Sequence, residues 1–244
     1  MTLPVFLAGA VAGMHPGEVL LLDGDEGRHA ATVKRIRAGE QVLVTDGAGT
    51  TATCTVSAAA RSSLDLVVDE VSVAERATPQ VTVVQALPKG DRGELAVEVL
   101  TEIDVDRIVP WAASRSVAVW KGERATKGLA KWRATAREAT KQARRAWLPE
   151  VRELASTAEV VALVAEADLA VVLHEAADLP IAELDLAGVS SIVVVVGPEG
   201  GISDDELAAF AGARVVRLGS SVLRTSTAGV AAVAALLSRT DRWA

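Results

Sequence analysis

The sequence predicts an α/β protein in which a C-terminal parallel sheet with helices follows a small N-terminal β-barrel. From residue 81 onward, runs of β-branched residues alternate with helical segments, a rhythm typical of parallel sheets. Before residue 74, short alternating strands are separated by Asp-Gly turns, which favours a small barrel. The run "AERATPQ" (74–80) between these parts indicates a linker. We therefore predict two domains, at 1–75 and 76–244.

The composition narrows the class of protein. Of 244 residues, 50% are hydrophobic and 23% are charged, as in an ordinary globular protein. No apolar run reaches the roughly 18–20 residues that span a bilayer, so no membrane partner is expected.

The apolar start "MTLPVFLAGAVAGMHPGE" lacks a basic region and has an early proline, so we interpret it as a strand and loop rather than an export signal. With a single cysteine, the expected compartment is the cytoplasm. The three scattered histidines show no metal-ligand spacing, so no metal is expected.

The first domain is predicted to be mostly strand. The β-rich stretches are "EVLLLDGDEG", "GEQVLVTDGAGTTATCTV" and "LDLVVDEVSV". A short helix is predicted over "RHAATVKRIR". Cys54 lies in the alternating run "TATCTV", which indicates a small strand residue rather than a nucleophile.

The second domain is predicted to alternate strands with helices. The predicted strands are "VTVVQAL", "RIVPWAA", "ADLAVVLHEA", "SIVVVVG" and "RVVRLG", and the predicted helices are "ELAVEVLTEI" and residues 123–146, 204–211 and 225–239. The last helix is small or apolar all round, which predicts burial on more than one side, by its own sheet or by another subunit.

A basic region stands out against the net charge of −7. Residues 121–150 hold nine Lys or Arg against three Glu. In the long helix, residues such as Leu129 and Trp132 form one apolar stripe, and the basic residues off this stripe are expected to face solvent or a partner. Either a solvated surface or a polyanion-binding surface explains this pattern.

The stretch "VVVVGPEGGISDDEL" (193–207) predicts a buried strand, a glycine-rich loop and a helix. Ser203 and Glu206 form a predicted capping box at the helix start. The loop has neither the lysine of a phosphate-binding P-loop nor the spacing of a dinucleotide fingerprint. Glu199 within the loop disfavours polyphosphate and suits a cationic or hydrogen-bond-donating ligand. The alternative is a tight turn that only joins strand to helix.

A second loop, "LGSSVLRTSTAG" (218–229), also follows a predicted strand. Arg224 lies just ahead of a helix start, where its charge favours an anionic or electron-rich substrate. The alternative is a surface arginine paired with an acid. Because open α/β sheets bind ligands at the carboxyl ends of their strands, the two loops together predict a ligand site.

These two loops, about twenty residues apart, resemble the SPOUT-class RNA methyltransferases that methylate N3 of a uridine in 16S ribosomal RNA. The resemblance extends to "ALPKGDRGELAVEVLTEIDVDRIVPWAASRS" (86–116) and "REATKQARRAWLPEV" (137–151). In the first domain, "RHAATVKRIRAGEQVLVTDGAG" is similar to the family's PUA-like RNA-binding domain. The chain departs from the family at Ser226, where a Glu is common, and this puts a catalytic acid at that position in doubt.

The resemblance implies a trefoil knot in the C-terminal domain, S-adenosylmethionine as cofactor, and a homodimer formed through that domain. The implied partner is 16S ribosomal RNA, either free or in the assembled small subunit. Arg224 is implied as the catalytic residue that stabilises negative charge on the uracil oxygens, and no general base is identified. The implied cofactor-binding residues are Leu173, Gly197, Glu199, Gly200, Gly201, Leu218, Gly219, Leu223 and Thr225. The implied RNA-binding residues are Arg28, Lys34, Arg35, Arg37, Arg115, Lys141, Arg144 and Arg145.

Two other functions remain open at this level. The strand-glycine-helix loop is also compatible with an α/β enzyme that uses another nucleotide. Ser226 and the basic region are also compatible with a non-catalytic RNA-binding protein.

Overall fold

The computed structural model describes residues 2–243, and the chain divides into two compact units. The N-terminal domain comprises the chain up to Arg76 together with Thr140–Leu148. The C-terminal domain comprises Ala77–Ala139 and the chain from Pro149 onward. The sequence assigned Thr140–Leu148 to the second domain because it continues the basic helix, whereas its contacts place it in the first.

The N-terminal domain is a five-stranded sheet, curled into a half-barrel where the sequence predicted a small barrel. The strand order is β1-β3-β4-β5-β2, so β1 and β2 lie at the two edges. The first strand runs parallel to β3, and the other pairs are antiparallel. The strands are β1 Val5–Leu7, β2 Val19–Leu22, β3 Gln41–Thr45, β4 Thr50–Ala59 and β5 Leu64–Val73.

Alternating residues of these strands form the core of the half-barrel. Phe6, Leu22 and Leu64 are among its buried side chains. Cys54 is a strand residue, in β4, as its alternating context predicted, and its side chain is fully buried. The predicted short helix begins earlier than expected, as α1 (Gly24–Arg28), and continues as a π-helical turn over His29–Val33.

The segment Thr140–Leu148 completes the N-terminal domain. The Gly49 amide donates a hydrogen bond to the Ala146 carbonyl at 3.0 Å. The indole N–H of Trp147 donates to the Ala74 carbonyl at 3.0 Å. Backbone groups at the end of the half-barrel are thereby satisfied by a segment distant in sequence.

The C-terminal domain is a seven-stranded, entirely parallel sheet with helices. Its strand order is β10-β12-β9-β11-β6-β7-β8. The strands are β6 Gln80–Ala86, β7 Arg107–Trp111, β8 Glu150–Val151, β9 Leu169–Leu173, β10 Leu179–Pro180, β11 Ser191–Val196 and β12 Arg214–Arg217. The helices are α2 Arg92–Glu102, α3 Glu123–Ala143, α4 Thr157–Glu166, α5 Asp204–Ala209 and α6 Thr225–Leu237.

The central strands and α6 are packed as their composition predicts. In β11, every residue after Ser191 is buried, as expected for a valine-rich strand covered on both faces. A Cβ built on Gly229 of α6 would lie 3.3 Å from side chains of both Leu100 and Val196, so this glycine allows the helix close approach to α2 and the sheet. The parallel register brings the carboxyl ends of the strands to one edge. The trefoil knot stays a prediction.

Candidate functional site

A cavity of about 330 Å³ opens at the carboxyl ends of β9, β11 and β12 in the C-terminal domain. A volume of this size lies within the usual range for small-molecule sites. Of the predicted cofactor-binding residues, all but Gly200 line it. The lining residues are Arg92, Leu173, His174, Glu175, Val196, Gly197, Pro198, Glu199, Gly201, Ile202, Arg217, Leu218, Gly219, Ser221, Val222, Leu223, Arg224, Thr225 and Ala228.

The glycine-rich loop after β11 folds tightly beside this cavity. Gly201 has φ +74°, a conformation that side chains other than glycine rarely adopt. A Cβ on Gly197 would lie 2.7 Å from the Ile202 side chain, so only glycine allows this packing. The loop ends at the capping box of α5, in which Ser203 and Glu206 exchange both hydrogen bonds as predicted.

Glu199 connects the glycine-rich loop to the "ALPKG" loop after β6. Its Oε1 accepts a hydrogen bond from the Lys89 backbone N–H at 3.2 Å. The rest of this residue is exposed and lines the cavity. One carboxylate oxygen therefore holds a neighbouring loop, and the other is available to a ligand.

The loop after β12 presents Arg224 beside the cavity. Arg224 is exposed and is the N-cap residue of α6, where it makes no side-chain capping bond. Its guanidinium makes no ion pair within residues 2–243. Arg224 is therefore not the acid-paired surface arginine that was the alternative interpretation of this residue. Thr225 and Ser226, in the first turn of α6, are buried. The positive charge of Arg224 and the helix N-terminus thus act together at the cavity wall.

The "ASRS" turn after β7 lies against the glycine-rich loop. Gly200 packs against this turn and does not line the cavity. A Cβ on Gly200 would lie only 2.9 Å from the Arg115 carbonyl oxygen, so the close approach requires glycine. The Arg115 guanidinium donates a hydrogen bond to the Ile202 carbonyl at 3.4 Å. Ser114 is bonded to Glu206 of α5 by its backbone N–H at 2.7 Å. This turn brings Arg115 next to the loop that forms one wall of the cavity.

His174 and Arg217 also line the cavity, although neither was predicted to do so from the sequence. His174 Nδ1 accepts a hydrogen bond from the Ala176 N–H at 3.2 Å, so the neutral ring carries its proton on Nε2. Arg217 donates to the Ala177 carbonyl at 2.8 Å, which directs its guanidinium to the backbone of the chain. The position of His174 directly after Leu173, at a strand end, was the available signal.

Four of the predicted RNA-binding residues lie together in the sequence of the N-terminal domain and are exposed. These are Arg28, Lys34, Arg35 and Arg37. Arg28 forms a surface ion pair with Asp25 at 3.0 Å, a type of contact that contributes little to stability.

Lys141 and Arg145 do not face solvent or a partner, although this was expected of the basic residues off the apolar stripe. The Lys141 side chain is only 10% exposed and pairs with Glu26 at 3.1 Å. Arg145 is buried within the N-terminal domain. Arg144 is exposed and donates to the Leu3 carbonyl at 3.2 Å. These contacts belong to the segment that completes the N-terminal domain, which the apolar stripe of the helix does not indicate.

Residues 2–243 contain neither a metal-binding cluster of the usual side chains nor a membrane-spanning helix. No three His, Cys, Asp or Glu side chains of this part of the chain form a group able to hold a metal ion. None of the helices in the same range has the length and apolar character needed to cross a membrane.

Comparison with known proteins identifies the family. Residues 75–237 match the model of an RNA methyltransferase domain, and residues 22–69 match that of an RNA methyltransferase PUA domain. The ribosomal RNA small subunit methyltransferase E of Mycobacterium bovis is 49% identical over 93% of this chain and 89% of its own length. The protein of the same name from Bacillus subtilis is 28% identical over 90% of both chains.

A solved structure shows the same architecture. It is a methyltransferase from Legionella pneumophila in complex with the bound cofactor SAM, with a TM-score of 0.85, 26% identity and coverage of 96% of both chains. Since the methyltransferase model alone covers more than half of the sequence, and a relative is 49% identical over most of its length, the chain belongs to the ribosomal RNA small subunit methyltransferase E family.

Proposed function

We propose that this protein transfers a methyl group from S-adenosylmethionine to N3 of a uridine in 16S ribosomal RNA. The observation that carries the proposal is the cavity at the strand ends, where the glycine-rich loop and the unpaired Arg224 meet. Membership of the family and the bound SAM of the Legionella relative support it. The exposed basic residues of the N-terminal domain supply the charge that RNA binding needs.

The lining residues fit S-adenosylmethionine, which has a cationic sulfonium centre and no phosphate. Leu173, Leu218 and Leu223 offer apolar contacts for an adenine ring. The second oxygen of Glu199 can accept hydrogen bonds from hydroxyl or amino groups. Among the described residues that line the cavity there is no lysine, in contrast to the phosphate sites of P-loop proteins. When bound, this cofactor supplies the methyl group of its sulfonium.

Arg224 has the placement needed to activate the base. Uracil N3 carries a proton and becomes an effective nucleophile when that proton leaves, with negative charge developing on the uracil oxygens. A guanidinium beside these oxygens stabilises that charge and thereby favours loss of the proton. His174 is not the base in this scheme, because its Nδ1 already accepts the Ala176 N–H. The proton passes to solvent.

RNA binding is assigned to both domains. Arg28, Lys34, Arg35 and Arg37 contact phosphates in this proposal, and Arg115 contacts the RNA close to the cavity. Lys141, whose side chain is only 10% exposed, and the buried Arg145 are left out of this role because little of either side chain is accessible, and Arg144 stays a predicted contact. The plot of log K against log salt has a negative slope, and each phosphate contact that is lost should reduce the magnitude of this slope by roughly 0.7–0.9.

The proposal includes a homodimer formed through the C-terminal domain, in the cytoplasm where ribosomal RNA is processed. Two observations support the dimer: small residues of α6, such as Ala228 and Ala231, are only partly buried, and the adjacent Val222 is 77% exposed. Sedimentation equilibrium should give twice the chain mass of 25.3 kDa. A monomer at micromolar concentration would contradict this part of the proposal.

Methyl transfer tests the function directly. The protein is incubated with S-adenosylmethionine labelled in its methyl group and with either free 16S RNA or small subunits that lack the modification. Label is expected at N3 of one uridine, and the preferred substrate shows whether free RNA or the subunit is recognised. RNA binding without label transfer at saturating cofactor would indicate a non-catalytic RNA-binding protein. Calorimetric binding of ATP or NAD, with none of S-adenosylmethionine, would indicate another nucleotide.

A further inference from the structure

We infer that Glu206 is a positioning residue, which acts through Ser114 to hold Arg115 beside the glycine-rich loop. The inference rests on the proposed function, because it assigns the held arginine to the RNA substrate. It gives the buried carboxylate of α5 a part in substrate recognition in addition to its part in capping the helix.

The Glu206 carboxylate is buried and fully engaged. The residue is 5% exposed. Its Oε1 accepts the Ser114 backbone N–H at 2.7 Å. Its Oε2 accepts the Ser114 hydroxyl at 2.9 Å and the Ser203 N–H at 3.0 Å. Although burial raises the pKa of Glu206, these hydrogen bonds from Ser114 and Ser203 outweigh it and lower the pKa below its usual value. The group is therefore an anion at neutral pH, and each donor bonds to a charge.

Helix capping alone does not explain this arrangement. The chain contains a second capping box, formed by Ser156 and Glu159 at the start of α4. Glu159 is exposed, and its carboxylate accepts bonds from Ser156 only. Glu206 makes the same capping contacts and in addition reaches a residue 92 positions away. Glu206 differs from Glu159 by its two bonds from Ser114 of the "ASRS" turn and by a longer bond from the Thr157 hydroxyl at 3.4 Å.

That bond fixes the backbone of Arg115 from one side, and the glycine-rich loop fixes it from the other. Ser114 precedes Arg115 directly, so its position determines where the next residue begins. On the other side, a Cβ on Gly200 would lie 2.9 Å from the Arg115 carbonyl oxygen and 3.0 Å from the Arg115 Cβ. The backbone of Arg115 thus has little room to move.

The side chain of Arg115 is left available to a substrate. Arg115 is exposed, makes no ion pair within the described residues, and has one long hydrogen bond, to Ile202. Because Ile202 and Gly201 line the cavity, the guanidinium lies beside the loop that forms its wall. An arginine in this place suits a phosphate or a base edge of an RNA whose target base enters the cavity.

Two substitutions separate positioning from capping. In Glu206→Gln, one carboxylate oxygen becomes an NH₂ group, and only one backbone N–H can still be accepted. Gln serves in capping boxes as Glu does, so the cap can be retained while the NH₂ faces the Ser114 N–H. Ser114→Ala removes only the hydroxyl and leaves the main chain unchanged. Glu159→Gln is the matched control, since it alters a capping box without a link to the turn.

The test measures methyl transfer for the wild type, these variants, Arg115→Ala, and the double variants that combine Arg115→Ala with Glu206→Gln or Ser114→Ala. Glu206→Gln should raise KM for RNA about tenfold, with kcat and the Kd for S-adenosylmethionine nearly unchanged. Ser114→Ala should act in the same direction, and Glu159→Gln should have no effect. In the Arg115→Ala background, neither further change should alter KM by more than about twofold.

Three results would overturn the inference. The first is an unchanged KM for RNA in Arg115→Ala, and the second is an unchanged KM in both Glu206→Gln and Ser114→Ala. The third is that Glu206→Gln and Ser114→Ala raise KM as much in the Arg115→Ala background as in the wild type. If Glu206→Gln does not fold, an unchanged KM for RNA in Ser114→Ala alone overturns the inference. An absence of methyl transfer by the wild type would instead contradict the proposed function. RNA affinity measured by filter binding on the same variants then still reports whether Glu206 acts through Arg115.

Discussion

Gly200 offers a direct test of how closely the glycine-rich loop contacts the "ASRS" turn. In Gly200→Ala, the new methyl group would lie 2.9 Å from the Arg115 carbonyl oxygen, closer than real Cβ contacts allow. The turn or the loop therefore has to shift by roughly half an ångström, and such overpacking costs about 1–3 kcal/mol. Removing a glycine from the unfolded chain offsets about 0.4–1 kcal/mol of this. We expect a net loss of about 1–2 kcal/mol in the free energy of unfolding.

The matched control is Gly219→Ala in the other loop of the cavity. A Cβ there meets no atom within 4 Å, and the residue has no left-handed backbone conformation. Urea unfolding should show a lower midpoint for Gly200→Ala and an unchanged or slightly higher one for Gly219→Ala. Since the shift displaces Arg115, KM for RNA should also rise in Gly200→Ala, by about tenfold. Wild-type stability together with wild-type KM in Gly200→Ala would show that the contact is not tight and refute the reasoning.

Three other predictions follow from the site and the core. Arg224→Ala should lower kcat by roughly 10²-fold or more while the Kd for S-adenosylmethionine changes little, and loss of cofactor binding alone would contradict its assigned role. Burial, with a smaller effect of Asp69, raises the pKa of the Cys54 thiol to about 11, so a thiol reagent at pH 8 should react with the protein only after unfolding. Because the pKa of Glu206 is lowered in the folded state, its carboxylate stabilises the protein above the unfolded pKa of about 4.3, and this contribution is lost as the pH falls through the folded value. The difference in unfolding free energy between the wild type and Glu206→Gln should therefore shrink below about pH 4, and a difference independent of pH would argue against an ionised Glu206.

Features set by local rules could be predicted from the sequence. The capping box of Ser203 and Glu206 needs only two residues three positions apart, and it is present. The meeting of the GPEGG and LGSSVLR loops follows from the geometry of parallel strands, whose carboxyl ends share one edge. Both inferences use distances of a few residues or a general property of the sheet.

Features set by long-range contacts could not be predicted in the same way. The bond from Ser114 to Glu206 joins residues 92 positions apart, and nothing in either local pattern indicates the partner. Lys141 lies off the apolar stripe of α3 and yet its side chain is only 10% exposed, because Glu26, 115 positions away, pairs with its charge. A helical pattern indicates which face is apolar, but not where a nearby acid compensates a buried charge.

The composite make-up of the N-terminal domain determines when it can finish folding on the ribosome. Its last strand ends at Val73, but the segment that completes it extends to Leu148. At about 5–20 residues per second, synthesis of the intervening chain takes several seconds. Throughout that interval the Gly49 N–H and the Ala74 carbonyl still lack their final partners. The nascent half-barrel therefore emerges with these backbone groups at the end of β4 and β5 unsatisfied, and they gain their partners only when Ala146 and Trp147 have been added.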